Sequence, residues 1–223
     1  MFFQLLKMNN YRKLWAEFFG TFLLVLFGTG SVIVSEEYDG IIQAFGIGIV
    51  FGLTVWLLIQ YFGRVADCHI NPAVTFTFLV SKQISFRMGM KYIGLQLIGA
   101  LLASLLLYIY FPTNINLGNT LPSGSWQASF VLEFLLSFVL MYVILVTTSK
   151  QFLVKYAPFL IGFTVFLEAW LAGPICGASM NPARTFGPAV ISGNVTYLSL
   201  YIIAPILGMI MALFVFNKKM LSK

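Results

Sequence analysis

Long apolar runs separated by short polar loops dominate this chain. Six of them approach the roughly 20 residues that a helix needs to cross a bilayer. They are Leu14–Val34, Ile41–Phe62, Tyr92–Phe111, Ala128–Thr147, Ala157–Gly173 and Thr196–Phe216. Two further apolar stretches, Pro72–Val80 and Pro182–Val190, are only nine residues long. At about 1.5 Å per residue each measures ~13 Å, and the two end to end ~27 Å, close to the ~30 Å hydrocarbon core. The pattern predicts six spanning helices and two half-spans that meet N-terminus to N-terminus as a seventh crossing.

Both half-spans open in the same way, with Asn71-Pro72-Ala73 and Asn181-Pro182-Ala183, 110 residues apart. Proline is preorganised at the first position of a helix, where its missing N–H costs nothing. The asparagine before it sits at the positive end of the helix dipole. Two such starts aimed at one place are how membrane proteins build a solute site from broken helices. Asparagine is also a good N-cap, and one residue can cap the backbone and still present its side-chain N–H.

Composition agrees with a membrane protein. The chain has 223 residues, 60% hydrophobic and 9% charged, against about 25% charged in soluble domains. It is read as one domain over 1–223, with repeats at about 11–111 and 126–217. A net charge of +6 would suggest nucleic acid in a soluble protein. Here the basic residues mark topology instead, and no nucleic-acid partner is expected. Of the thirteen, all but Arg184 fall before the first span, between spans two and three or four and five, or after span six. By the positive-inside rule both termini are cytoplasmic. The first span contains Glu17 and no Ala-x-Ala site, so it is read as retained rather than as a cleaved signal. Cys68 and Cys176 are expected in loops on opposite faces, with no disulfide and no metal-site spacing.

The halves are weakly self-similar. Ala16-Glu17-Phe18 opens span one and Leu132-Glu133-Phe134 opens span four, with each Glu 54 or 48 residues before its Asn. Gln96-x-x-Gly99 matches Pro205-x-x-Gly208. Three spans per repeat is odd, so the halves insert with opposite orientation, as in other inverted-repeat transport folds. A carboxylate within a span is functional or buried against partners. Glu17 and Glu133 are read as supports that accept N–H bonds from non-helical loops which no water reaches. No chain of further acids or histidines makes either one a proton relay. Most span glycines are expected to let helices approach closely.

These residues resemble the aquaporins and glycerol facilitators, the major intrinsic proteins. The resemblance runs over nearly the whole chain: Ala16-Glu17-Phe18-Phe19-Gly20-Thr21-Phe22, His69-Ile70-Asn71-Pro72-Ala73-Val74-Thr75, and Gly173-Pro174 through Asn181-Pro182-Ala183-Arg184-Thr185-Phe186-Gly187-Pro188. It implies an all-α membrane fold, a right-handed bundle of six helices plus two half-helices. It also implies a homotetramer with one pore per subunit, in a cell membrane (plasma or inner), without cofactor or metal. Asn71 and Asn181 would donate to water at the midplane and break the proton wire there. Arg184 would stand in the outer constriction, the alternative being a structural pair with Glu168. Counted from the two asparagines, the other constriction positions are Phe51, Ala169 and Ala178. His69 would line the cytoplasmic vestibule.

Ala169 departs from the histidine of water-specific members and implies a wider opening. Thr185 and Ala189 depart from the Asp and Lys/Arg of glycerol facilitators. Tyr201-Ile202 resembles nodulin-type channels. The implied function is a passive channel for water and small neutral solutes such as glycerol, with a strictly water-selective channel or a metalloid facilitator as alternatives. Arg64 and Asp67 are candidates for a local pair at the mouth or for an influence on gating, and Cys68 is a candidate thiol near the pore. An enzyme is disfavoured, since no catalytic motif is present. Cation conduction is disfavoured by Arg184 and the converging dipoles.

Overall fold

The computed structural model describes residues 10–64 and 66–221. Lys7 and Lys223 of the expected cytoplasmic basic set, and the side chains of Lys218 and Lys219, lie outside the described residues. The described residues form helices and no strands. The six spanning helices are α1 (Asn10–Glu37), α2 (Gln43–Phe62), α4 (Phe86–Tyr110), α5 (Trp126–Ser149), α6 (Ala157–Cys176) and α8 (Leu198–Leu221). The half-helices are α3 (Pro72–Val80) and α7 (Pro182–Ser192).

Several helices begin earlier than the apolar runs suggested. Ser85 caps α4 by accepting from the Met88 N–H at 3.3 Å, and Ser125 caps α5 by accepting from Ala128 at 3.2 Å. Hydropathy marks the part of a helix inside lipid, whereas polar caps extend it into the interface. A second departure lies inside α1, where Val25–Thr29 is a π-turn. No sequence pattern announced it.

The halves correspond element by element. Helix α1 packs on α4 as α5 packs on α8, and α2 packs on its counterpart α6. Small residues make these approaches possible. A Cβ on Gly99 would stand 2.5 Å from the Phe18 carbonyl oxygen. In the other half a Cβ on Gly208 would run into the Phe134 carbonyl. At the centre the relation is reciprocal. A Cβ on Gly52 would meet the Gly162 carbonyl at 2.7 Å, and one on Gly162 would meet the Gly52 carbonyl at 2.6 Å. Other span glycines differ: Gly94 faces open space, Gly20 faces the Ile70 side chain, and Gly28 faces the Phe51 ring. Large apolar side chains such as Trp15, Phe27, Leu53, Ile109, Leu171 and Phe214 are exposed on the outside of the bundle. Lipid is the solvent that suits such a surface, because helices satisfy their own backbone groups.

Candidate channel and constriction

Each half-helix starts from a short irregular loop held from behind by a buried carboxylate. Glu17 accepts from the backbone N–H groups of His69 (2.6 Å) and Ile70 (2.7 Å). Glu133 accepts from those of Ser179 (2.7 Å) and Met180 (2.8 Å). Both acids are fully buried. The loops have matching left-handed residues, Cys68 and Ile70 in the first, Ala178 and Met180 in the second. That backbone is uncommon for residues with a Cβ, and the two-pronged carboxylate holds it in place. Gln96 supplies a third donor to Glu17, at 2.7 Å, and also donates to Thr75 Oγ1 at 2.9 Å. At the corresponding place in the second half the sequence has Pro205, which has no such donor.

Asn71 and Asn181 each do two jobs, and the two loops lock across the repeat. The Oδ1 atoms accept from the N–H groups of Ala73 (2.9 Å) and Ala183 (3.0 Å), capping α3 and α7. The Nδ2 of Asn71 donates to the Met180 carbonyl at 2.8 Å, and that of Asn181 donates to the Ile70 carbonyl at 2.9 Å. A side-chain amide has two N–H groups. One is therefore committed to the opposite loop, and one remains. The sequence pattern had left both free.

Arg184 is 4% exposed. Its Nη1 donates to the Gly118 carbonyl at 2.8 Å, and its guanidinium carbon stands 5.3 Å from the centre of the Phe51 ring. Among the described residues no carboxylate forms an ion pair with it. The alternative pairing with Glu168 is not formed. Glu168 is buried on α6 with both oxygens unpartnered, and unlike its neighbour Ala169 it does not line the cavity described below.

A cavity of about 1030 Å³ reaches from one end of the bundle inward as far as Arg184. Its wall includes Lys13, Arg64 and Lys155 at one end, His69, Asn71 and Asn181 in the middle, and Phe51, Ala169, Ala178 and Arg184 at the other. Every residue anticipated for the pore, other than the prolines and alanines that fix the half-helix starts, is thus on one surface. Pro72, Ala73, Pro182 and Ala183 are buried in the first turns of α3 and α7. His69 stacks on Phe78 with centroids 4.8 Å apart, and its Nδ1 lies 3.1 Å from Thr75 Oγ1.

Residues 4–216 match the family model described as Major intrinsic protein. The chain belongs to the major intrinsic protein family. Proteins of this family are channels rather than enzymes. As a major intrinsic protein the chain is similar to aquaporin NIP3-1 of Arabidopsis thaliana, 38% identical over 213 residues, covering 92% of this chain and 66% of that protein. It is 40% identical to putative aquaporin NIP4-1 of Arabidopsis thaliana over 208 residues, covering 92% and 74%. It is 38% identical to nodulin-26 of Glycine max over 208 residues, covering 92% and 77%. The chain thus spans about two thirds to three quarters of these relatives' lengths. An aquaglyceroporin structure from Plasmodium falciparum shares the fold, with a TM-score of 0.82 at 23% identity over 92% of this chain and 94% of that one.

Two smaller expectations are corrected. Arg64 does not pair with Asp67. The Asp67 carboxylate is taken by Lys13 Nζ (3.0 and 3.2 Å) and by the Tyr92 hydroxyl (2.8 Å), a reach of 54 positions to Lys13 that local reading missed. Cys176 is the last residue of α6 rather than a loop residue, and it is buried and free, as is Cys68. Tyr201, singled out by resemblance alone, donates its hydroxyl to the Cys176 carbonyl at 2.7 Å and so ties the end of α6 to α8. Gly118, which holds Arg184, lies in an uncharged loop with no motif to mark it.

Proposed function

We propose that the protein is a passive channel for water and small neutral solutes such as glycerol, and that protons and ions are turned back at two places. The supporting observation is the single cavity shared by the Asn71–Asn181 pair and Arg184. At the midplane the free N–H of each asparagine donates to a passing water oxygen. With its oxygen doubly occupied, that water accepts nothing from its neighbours, and the hydrogen-bonded wire points outward on both sides. The N-termini of α3 and α7 add partial positive charge at the same spot. The crossed amide–carbonyl bonds keep the donors aimed without reorganisation. At the constriction, Arg184 offers donors to the solute and repels cations. Phe51 gives an apolar wall, while Ala169 and Ala178 leave room opposite.

The same reading puts both termini in the cytoplasm, the protein in the cell membrane (plasma or inner) and four copies in the assembly. The lean toward glycerol rests on Ala169. Stopped-flow scattering on proteoliposomes tests it: shrinkage followed by rapid re-swelling in glycerol, but not in sucrose, is expected. Shrinkage without re-swelling in glycerol leaves a water-selective channel and removes the wide-constriction reading.

A further inference from the structure

The geometry points to the π-turn of α1 as the device that positions the constriction, with Gly28 and Thr29 as positioning residues for Phe51 and Arg184; this rests on the channel reading above. Among the described residues Arg184 is held by two things, the Phe51 ring and the Gly118 carbonyl. Both rest on this one turn. A Cβ on Gly28 would lie 2.7 Å from Phe51 Cζ and closer still to the ring edge at Cε1. The ring therefore sits in a slot that only glycine leaves open. On the adjacent residue, the Thr29 carbonyl oxygen and Cγ2 would stand 2.9 and 2.8 Å from a Cβ on Gly118. The Gly118 backbone, at φ +62°, is thus seated on Thr29 while its own carbonyl faces Arg184.

A π-turn carries one extra residue, which swings the following helix face by roughly 100° relative to an uninterrupted helix. Such turns are frequent at functional sites. Here the swing lets α1 serve two surfaces. Before the turn, Leu24 lines the cavity. Within it, the slot and the seat face α2 and the 112–125 loop. Thr29 Oγ1 is buried without a partner, so the residue contributes its backbone and methyl to this contact rather than a hydroxyl bond.

Positioning through Phe51 predicts coupling that helix packing alone does not. Water permeability per reconstituted channel is measured for wild type, Gly28→Ala, Phe51→Leu and the double variant. Gly28→Ala should push the ring into the lumen and lower permeability by about threefold or more, whereas on the Phe51→Leu background the same change should cost less than about 1.5-fold. An equal loss on both backgrounds, or no loss on either, overturns the proposal. If Gly28→Ala yields folded channel only together with Phe51→Leu, that rescue supports it. If neither form folds, Gly118→Ala takes over, since its methyl meets Thr29 and displaces the carbonyl that holds Arg184. A change of about threefold in permeability is then expected, and an unchanged value overturns the proposal. A wild-type protein that conducts no water would instead refute the channel reading itself.

Discussion

Replacing Glu17 by alanine separates a structural carboxylate from a proton-carrying one. The substitution removes the acceptor of the His69 and Ile70 N–H groups, both of which sit in a loop at membrane depth. It also removes one of two acceptors of Gln96, which keeps Thr75. A buried donor left unsatisfied costs about 1–3 kcal/mol. Two backbone donors give about 2–6 kcal/mol, before any cost of the vacated volume. For a chain of this size each kcal/mol moves the melting temperature by roughly 2–4 °C. The low end of both ranges is a fall of about 4 °C. Glu17→Gln keeps one oxygen but turns an NH2 toward the second backbone N–H, so an intermediate fall is expected. Thermal unfolding in detergent, followed by tryptophan fluorescence and recovery on size-exclusion chromatography, gives the ordering. Glu133→Ala should behave alike, since Ser179 and Met180 lose the same support. A Glu17→Ala protein that melts like wild type but carries protons differently would refute the account and favour a relay.

Asn181→Asp turns a donor into a second acceptor facing the Ile70 carbonyl, now 2.9 Å from Nδ2; water permeability should fall by about tenfold, and a pH-sensitive dye in the vesicles should report a new proton leak. Ala169→His restores bulk opposite Phe51, so glycerol flux should drop by about tenfold while water changes by less than about threefold; equal losses would contradict the constriction reading. Gly99→Ala and Gly208→Ala each drive a methyl into a facing carbonyl and should cost about 1–3 kcal/mol in melting experiments, whereas Gly94→Ala, with open space around it, should be neutral or slightly stabilising.

The half-helices were the most legible part of the chain, because Asn-Pro fixes a helix start by covalent geometry as much as by context. Both appear where the motif put them, and α3 ends at Val80 as its apolar run does. The supporting acids were legible for a related reason: irregular loops at membrane depth have donors to spare, and Glu17 and Glu133 recur at matching places in the two halves, whereas Glu168, with no such counterpart, meets no donor. What stayed hidden depends on distant pairing. The Lys13–Asp67 contact, the Gly118 carbonyl under Arg184 and the crossed bonds from each asparagine to the other loop all join residues more than 50 positions apart. The π-turn stayed hidden because Val25–Thr29 contains nothing that a straight helix would refuse. What the turn touches, Phe51 on α2 and Gly118 in the 112–125 loop, is distant in sequence.

Water flux and proton exclusion measured on the same vesicles test the central claim most directly. Protein-containing liposomes loaded with a pH-sensitive dye are mixed with sucrose, and in a parallel run with an acid step. The account predicts shrinkage far faster than in empty liposomes while the internal pH decays no faster than in empty ones. Shrinkage at the empty-liposome rate, or an acid step that crosses as quickly as water, would contradict it.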